Sequence, residues 1–275
     1  MQRSSSDAPR YVELFAIGTE LVMGRIYDTN SFWIAEQLAR LGTYPRRILC
    51  LPDDDDEVVA AFDDSLKRGT DVIITTGGLG PTPDDRTLDC VCRLLGLEQA
   101  VHRPTVESFK QRRNLADDSQ LSPSLWKMAT APVGANVYQN PAGWAPLIEL
   151  PARSSSFYMM PGPPKEMQAL WNSHLNEILK RTFRSTTAAQ RVWVTMFESE
   201  VSPHLQQVMK AYPQTYIKAY VALRTDTTLP VDLVAHGPDD EAARAVLDAA
   251  IEELGDLVRG KGKRLWLDGA TSETS

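Results

Sequence analysis

The sequence predicts an α/β protein, a three-layer and mostly parallel sheet followed by a smaller α+β domain. Three observations predict it. From Tyr11 to Leu95, short apolar runs alternate with segments of helical period. Between Asp71 and Asp89 an apolar run breaks into a glycine-rich loop and re-enters helical spacing. Beyond Gln190 the order changes to strand, helix, strand, strand, helix.

Composition bounds the class. The 275 residues suffice for two domains with a core each, and 43% hydrophobic with 24% charged residues is ordinary for a soluble globular chain. A formal charge of −7 argues against general affinity for nucleic acid or an anionic membrane. Cys50, Cys90 and Cys92 show no metal-ligand spacing, and a reducing cytoplasm is the expected compartment. The opening MQRSSSDAPR has no apolar core, and no run of 18 apolar residues occurs.

Each element has its own signal. Residues 1–10 read as a disordered polar tail. Tyr11–Ile17 is the first strand, ending at Gly18, with Glu20 in the following loop. Open α/β sheets place ligands at such strand ends, and a salt-bridged loop residue is the equal alternative for Glu20. Thr29 or Asn30 caps the next helix, with Phe32, Ile34, Ala35, Leu38 and Leu41 as its apolar stripe and Gly42 as its stop. Arg46–Leu51 is the second strand. The run Asp53–Asp56 precedes Val58, Val59, Phe62 and Leu66, so Asp54–Asp56 read as the acidic start of a helix rather than a cation site. Val72–Ile74 is a buried strand and Asp85–Leu95 the helix after its loop. Pro104–Asn114 is a helix with Val106 and Phe109 inward, and Asn114–Ser124 is a loop. Ser156–Met160 is a strand, and Pro161–Pro164 a rigid turn into a helix near Lys165.

A boundary is expected within Thr182–Gln190, which is small and polar. Beyond it come a strand over Arg191–Phe197, a helix over Pro203–Met209, and a hairpin of Tyr216–Leu223 with Val231–Ala235. Asp240–Leu254 is an amphipathic helix with Ala243, Val246, Leu247, Ala250, Ile251 and Leu254 inward. The expected domains are 11–182 and 190–266, with a disordered tail over 267–275.

The chemistry concentrates at Thr76-Gly77-Gly78-Leu79-Gly80-Pro81-Thr82-Pro83-Asp84-Asp85. Glycines let a ligand approach the backbone amides, and loop amides together with a helix N-terminus attract anions. Paired carboxylates repel a bare phosphate, so Asp84 and Asp85 point to a divalent cation held between them and a diphosphate. The alternative, at even odds, is that Asp84 caps the helix and Asp85 is solvated.

GGLGPTPDDRT resembles the signature of the molybdopterin-binding (MoCF, MogA/MoaB-like) fold, and more closely the N-terminal module of the CinA family. Ile17–Gly42, Leu51-Pro52-Asp53-Asp54, Asn140-Pro141-Ala142-Gly143-Trp144-Ala145-Pro146 and Pro161–Met167 resemble further blocks of that family in the same order. The resemblance implies a MogA/MoaB-like sheet followed by a KH-like domain. It implies a pocket lined by Gly18, Thr19, Glu20, Asn30, the loop from Thr76 to Thr82, Asn140, Gly143, Pro161, Gly162 and Lys165. It also implies a divalent ion (cobalt, magnesium or manganese) at Asp85, Asp84 and Asp53, with Asp85 and Asp84 catalytic. Lys127 matches one position of a family motif, where it meets a phosphate or lies exposed. Trp144 and Leu147 replace Thr and Gly of the family, so their side chains narrow the pocket, stack on a nucleobase or close it.

The activity so implied is metal-dependent hydrolysis of a nucleotide diphosphate such as ADP-ribose, with FAD as a related substrate. Binding of molybdopterin, or adenylyl transfer in molybdenum cofactor synthesis, is the second expectation, and an inactive binding module the third. A homo-oligomer is expected, and the family's amidase domain is not. The KH-like label invites an RNA reading, but no Gly-x-x-Gly occurs between Arg191 and Lys263, so nucleic acid is not an expected partner. Gly-x-Ser-x-Gly, a Walker loop and His-Glu-x-x-His are all missing, and His102, His174, His204 and His236 are scattered.

Overall fold

The computed structural model describes residues 11–183, 186–225 and 227–267. These divide into two compact units, 11–38 with 43–179, and 39–42 with 180–267.

The first unit begins with β1 (Val12–Ile17), the short α1 (Thr19–Val22), α2 (Thr29–Arg40), β2 (Pro45–Leu51), α3 (Asp55–Lys67), β3 (Val72–Thr76) and α4 (Thr87–Leu95). A two-stranded ribbon follows, β4 (Gln99–Val101) with β5 (Thr130–Pro132), enclosing α5 (Arg103–Arg113) and α6 (Pro123–Met128). β6 (Asn136–Tyr138), β7 (Leu147–Ala152) and β8 (Ser155–Met160) lead to α7 (Pro164–Leu170), one π turn at Trp171–Leu175, and α8 (Asn176–Phe183).

The main sheet runs β2-β1-β3-β8-β7-β6. Its first four strands are parallel, and β7 and β6 are antiparallel additions at one edge. Every residue of β1 and β3 is buried, as in a parallel sheet covered on both faces. Phe15, Phe62 and Phe157 meet edge to face at 5.1 and 5.4 Å in the core under α3 and α4. Glu13 on β1 is a buried charge, 1% exposed, gripped by Arg68 through two bonds of 3.0 and 2.7 Å. Burial pushes the Glu13 carboxyl up, but the Arg68 guanidinium, helped by Ser65 and Thr70, outweighs it and holds the group below the usual carboxylate range.

The structure corrects several expectations. Phe32 is 77% exposed, because Ile34 and Leu38, four apart, set the core face of α2 and Phe32 sits two residues off it. The helix after the glycine loop starts at Thr87, not Asp85. Asn114–Ser124 contains a 3₁₀ turn at Asp118–Gln120, and its end enters α6, with Ser122 as N-cap.

The second unit contains β9 (Thr186–Val194), α9 (Glu198–Ala211), β10 (Thr215–Ala219), β11 (Leu229–Gly237), α10 (Asp240–Arg259) and β12 (Leu265–Leu267). Its sheet runs β10-β11-β9-β12 with every neighbouring pair antiparallel. The five expected elements are present, although the strand read over Tyr216–Leu223 ends at Ala219 and Val221–Leu223 is a 3₁₀ turn; β12 adds a sixth, giving a split β-α-β arrangement rather than three strands alone. β9 starts at Thr186, inside the polar stretch read as a boundary, since residues 186–190 pair with 233–237 of β11. The strand ends at Val194 instead of Phe197, because Glu200 accepts from Phe197 N at 2.7 Å and starts α9 there. α9 therefore covers fourteen residues around Pro203. Residues 1–10 and 268–275 lie outside the described residues, as do the expectations of disorder that fall on them.

Candidate functional site

All four parallel strands of the first sheet end at one edge, and the candidate residues follow them. Ile17 leads to Gly18, Thr19 and Glu20; Leu51 leads to Asp53; Thr76 leads to the glycine loop; Met160 leads to Pro161 and Gly162. β7 runs the other way and pairs Ile148 with Met159, so the Asn140–Gly143 loop reaches the same edge. This is where doubly covered sheets bind ligands.

The glycine loop owes its path to two residues. Gly77 has φ 97° and Gly78 φ 65°, the left-handed half of the backbone map. A Cβ on Gly77 would overlap the Ile17 carbonyl oxygen, and one on Gly78 would overlap the Thr87 hydroxyl. Gly77 N donates to Met160 O at 3.0 Å, tying β3's loop to β8. The first residue of α4 closes the loop: Thr87 Oγ1 donates to Gly77 O at 2.9 Å and its amide to Gly78 O at 3.1 Å. Leu79 is buried beneath, whereas Pro81 and Thr82 are exposed.

The acidic pair divides its work. Asp85 turns inward and accepts from Thr82 N at 2.8 Å and Thr82 Oγ1 at 2.5 Å, bracing the Gly80–Thr82 turn. Asp84 is exposed and does not cap α4, whose N-cap is Arg86. The Thr82 hydroxyl close by, its own amide and Lys127 hold the Asp84 carboxyl below the usual range. Lys127 Nζ donates to Thr82 O, and with Asp85, Gly78, Leu79 and Thr130 it lines a cavity of ≈ 90 Å³.

Asp53 bridges two strand ends, accepting from Thr19 N at 2.7 Å and Thr19 Oγ1 at 2.9 Å. Asp54 is the N-cap of α3, accepting from Asp56 N and Glu57 N at 3.0 Å each. Asp55 pairs with Arg86 and Asp56 with Arg93, so these acids serve the helix start as expected. A recess of ≈ 10 Å³, room for one water or small ion, has both Asp53 and Asp84 in its wall, with Arg86 and Cys90. Among the described residues, no three His, Cys, Asp or Glu side chains converge on one point as a metal cage. Burial and the Asp55 carboxylate push the Cys90 thiol up to about 12, which removes it as a nucleophile.

The remaining candidates fall into two groups. Glu20 is exposed and folds its carboxylate back over Gly18. Thr76 is buried, and Lys165 is exposed in the first turn of α7. Asn30 is 8% exposed; its Nδ2 donates to Gly162 O at 2.7 Å, and its Oδ1 is buried with no partner among the described residues. Asn140 is spent on structure, with Nδ2 on Ala145 O at 2.9 Å and Oδ1 on Ala142 N at 2.9 Å.

Glu166 follows the Pro161–Pro164 turn, and the sequence leaves a ligand contact and a cap of that turn equally open for it. A Cβ on Gly143 would overlap its carboxylate, which takes a bond from Trp144 N. Burial outweighs that bond and nearby Arg112, and the Glu166 carboxyl is pushed up. Its acid form is favoured by folding, so this contribution to stability is present at low pH and is lost as pH rises through the folded value. Thermal melting should show Glu166→Gln more stable than the wild type near neutrality, the gap closing below about pH 4. An unchanged gap would disprove the assignment.

Neither bulky replacement lines the two recesses beside the glycine loop. Leu147 is fully buried in β7. Trp144 packs edge-on against Phe109 at 5.3 Å, with the guanidiniums of Arg112 and Arg113 over it at 4.2 and 4.8 Å.

Fold and edge together define an α/β protein whose glycine loop lies at the carboxyl ends of a parallel sheet. The chain belongs to the family described as the probable molybdopterin binding domain, which matches residues 13–181. A protein of Pyrobaculum calidifontis is 33% identical over 253 residues, 90% of this chain and 95% of its own. A protein of Saccharolobus islandicus is 28% identical over 256 residues, covering 90% and 95%. Among solved structures, the CinA protein of unknown function from Thermoplasma acidophilum is similar to 62% of this chain over 98% of its own, at 30% identity and TM-score 0.57. Among the described residues, no helix is long and apolar enough to cross a membrane.

Proposed function

We propose that this edge binds a phosphorylated small molecule and hydrolyses its diphosphate with the help of a divalent ion, ADP-ribose and FAD being the substrates to try first. The observation that carries this is the Gly77–Gly78 loop, whose left-handed backbone and junction with α4 suit an anion, with Asp84 exposed beside it. Asp53 and Asp84 share a recess the size of one ion and fit a magnesium-like ion whose other ligands are phosphates and water, not a closed protein cage. An ion held there supplies Lewis-acid polarisation of a phosphoryl oxygen.

The chain's own contribution is position. Loop amides and Lys127 neutralise phosphate charge, and Asp85 keeps the Gly80–Thr82 turn in place. The unpaired Asn30 Oδ1 accepts an N–H or O–H of the ligand, such as a ribose hydroxyl or a pterin amide.

The test is chromatographic detection of AMP from ADP-ribose or FAD, with and without cobalt, magnesium or manganese. Release should require metal and fall on the order of 10²-fold in Asp84→Asn. Asp85→Ala should lose it too, through the loop. No AMP from either nucleotide with any metal would overturn hydrolysis. The family match favours a second reading, binding of a molybdopterin-type phosphate in the same loop, with or without adenylyl transfer.

A further inference from the structure

The sheet of the second unit carries both of that unit's helices on one face. Val192, Val194, Ile217, Val231 and Leu233 turn inward to α9 and α10. Side chains alternate along a strand, so the residues between them form the other face. The ladder sets these outward residues in rows. Across β10, β11, β9 and β12 the first row is Tyr220, Pro230, Trp193 and Trp266. Trp193 is opposite both Pro230 and Trp266, and Tyr220 N donates to Pro230 O at 3.0 Å. Pro230 is buried and the three aromatic residues are partly exposed, while Tyr216, further along β10, is 53% exposed. The next row holds Lys218, Asp232 and Arg191. Arg191 grips Asp232 with bonds of 2.6 and 2.9 Å, and its guanidinium lies 5.7 Å from the centre of the Tyr220 ring. Arg264 extends the β9–β12 ladder by one pair, donating from N to Thr195 Oγ1 at 2.9 Å and accepting at its carbonyl from Thr195 N at 3.0 Å. Lys218 and Arg264 are both exposed. Among the described residues of these rows Asp232 is the one acid, and Arg191 takes it up, so the face is cationic on a chain of formal charge −7.

We infer that this face binds single-stranded nucleic acid, with unpaired bases stacked on Tyr220, Trp193 and Trp266 and phosphates held by Lys218 and Arg264 at the two edges. Stacking on aromatic rings tolerates any base, so a row of rings suits a flexible single strand. At about 4.8 Å per strand the row spans roughly 14 Å, enough for two or three bases. The cations stand at the rims of the row, where the backbone of such a strand runs, and the acid within is neutralised. A duplex has its bases stacked already and offers the rings nothing. The charge of the whole chain and the lack of a Gly-x-x-Gly loop set aside a KH-type grip; neither bears on a sheet face that only the register of four strands assembles.

Fluorescence anisotropy of the full chain with labelled oligouridylate and oligothymidylate, each of about ten nucleotides, tests it. At least one strand should bind; uridylate alone would mark RNA, and both together a strand of either sugar. Annealing the bound strand to its complement should weaken binding at least about tenfold. Lys218→Ala with Arg264→Ala, both surface positions, should flatten the slope of log K against log salt by about 1.4. Trp193→Ala with Tyr220→Ala should raise the Kd at least about tenfold, with circular dichroism as the check on folding. If that pair unfolds, the duplex comparison and the salt slope decide. No binding of either strand at about 50 mM salt, equal binding of the duplex, or an unmoved salt slope would overturn the inference.

Discussion

Alanine at Gly77 is expected to cost about 3 kcal/mol or more and to abolish ligand binding. Two costs combine. A positive φ in a non-glycine residue costs roughly 1–3 kcal/mol. The added Cβ also meets the Ile17 carbonyl oxygen, a backbone atom at the end of β1 that cannot rotate away. Gly134 separates the two, since its φ is 89° and nothing lies within 4 Å of its would-be Cβ. Gly134→Ala should therefore show the conformational cost alone, about 1–2 kcal/mol. Thermal or denaturant unfolding of both variants measures the difference. Equal destabilisation would remove the backbone contact from the account of the loop.

Arg68→Ala should destabilise the chain by about 3–5 kcal/mol, because it strands the buried Glu13 carboxylate in the sheet. The pH dependence has a definite sign. Glu13 titrates below its unfolded value, so its contribution is full above about pH 4 and is lost as pH falls through the folded value. The gap between wild type and variant should be widest near neutrality and narrow in acid. Replacing both residues, Glu13→Leu with Arg68→Met, should recover much of the loss, since neither charge is then left unpaired. If Arg68→Ala melts like the wild type at pH 7, the pair is not holding β1.

Residues that act through local physics were legible in the sequence. Asp54 caps α3, Gly42 follows the end of α2 with φ 77°, and β1 and β3 read as buried runs because both faces of a parallel sheet are covered. The loops at the strand ends were legible as candidates for the same reason: each follows a recognisable strand. What the sequence hid depends on partners far along the chain. β12 is three residues long and exists because Val192 and Val194 of β9 offer it a register. Residues 186–190 look like a linker until β11 pairs with them. Trp144 reads as a pocket residue because its loop is; α5, some 30 positions earlier, claims the ring instead. Asp84 and Asp85 are neighbours of one chemical type, and only the fold of Thr82 tells the brace from the exposed acid.

The pairing of β3 with β8 joins Val72 to Ser156, roughly 80 residues apart, and it places Gly77 N on Met160 O. Closing so long a loop comes before the contacts that reward it, which makes this step slow in folding. During synthesis the glycine loop has no frame until Met160 has been made and has left the ribosome. An emerging chain that stops short of β8 would hold β1, β2 and β3 with one flank of β3 bare. Such a chain is a candidate for chaperone capture, because its glycine loop is tied down only when the sheet closes.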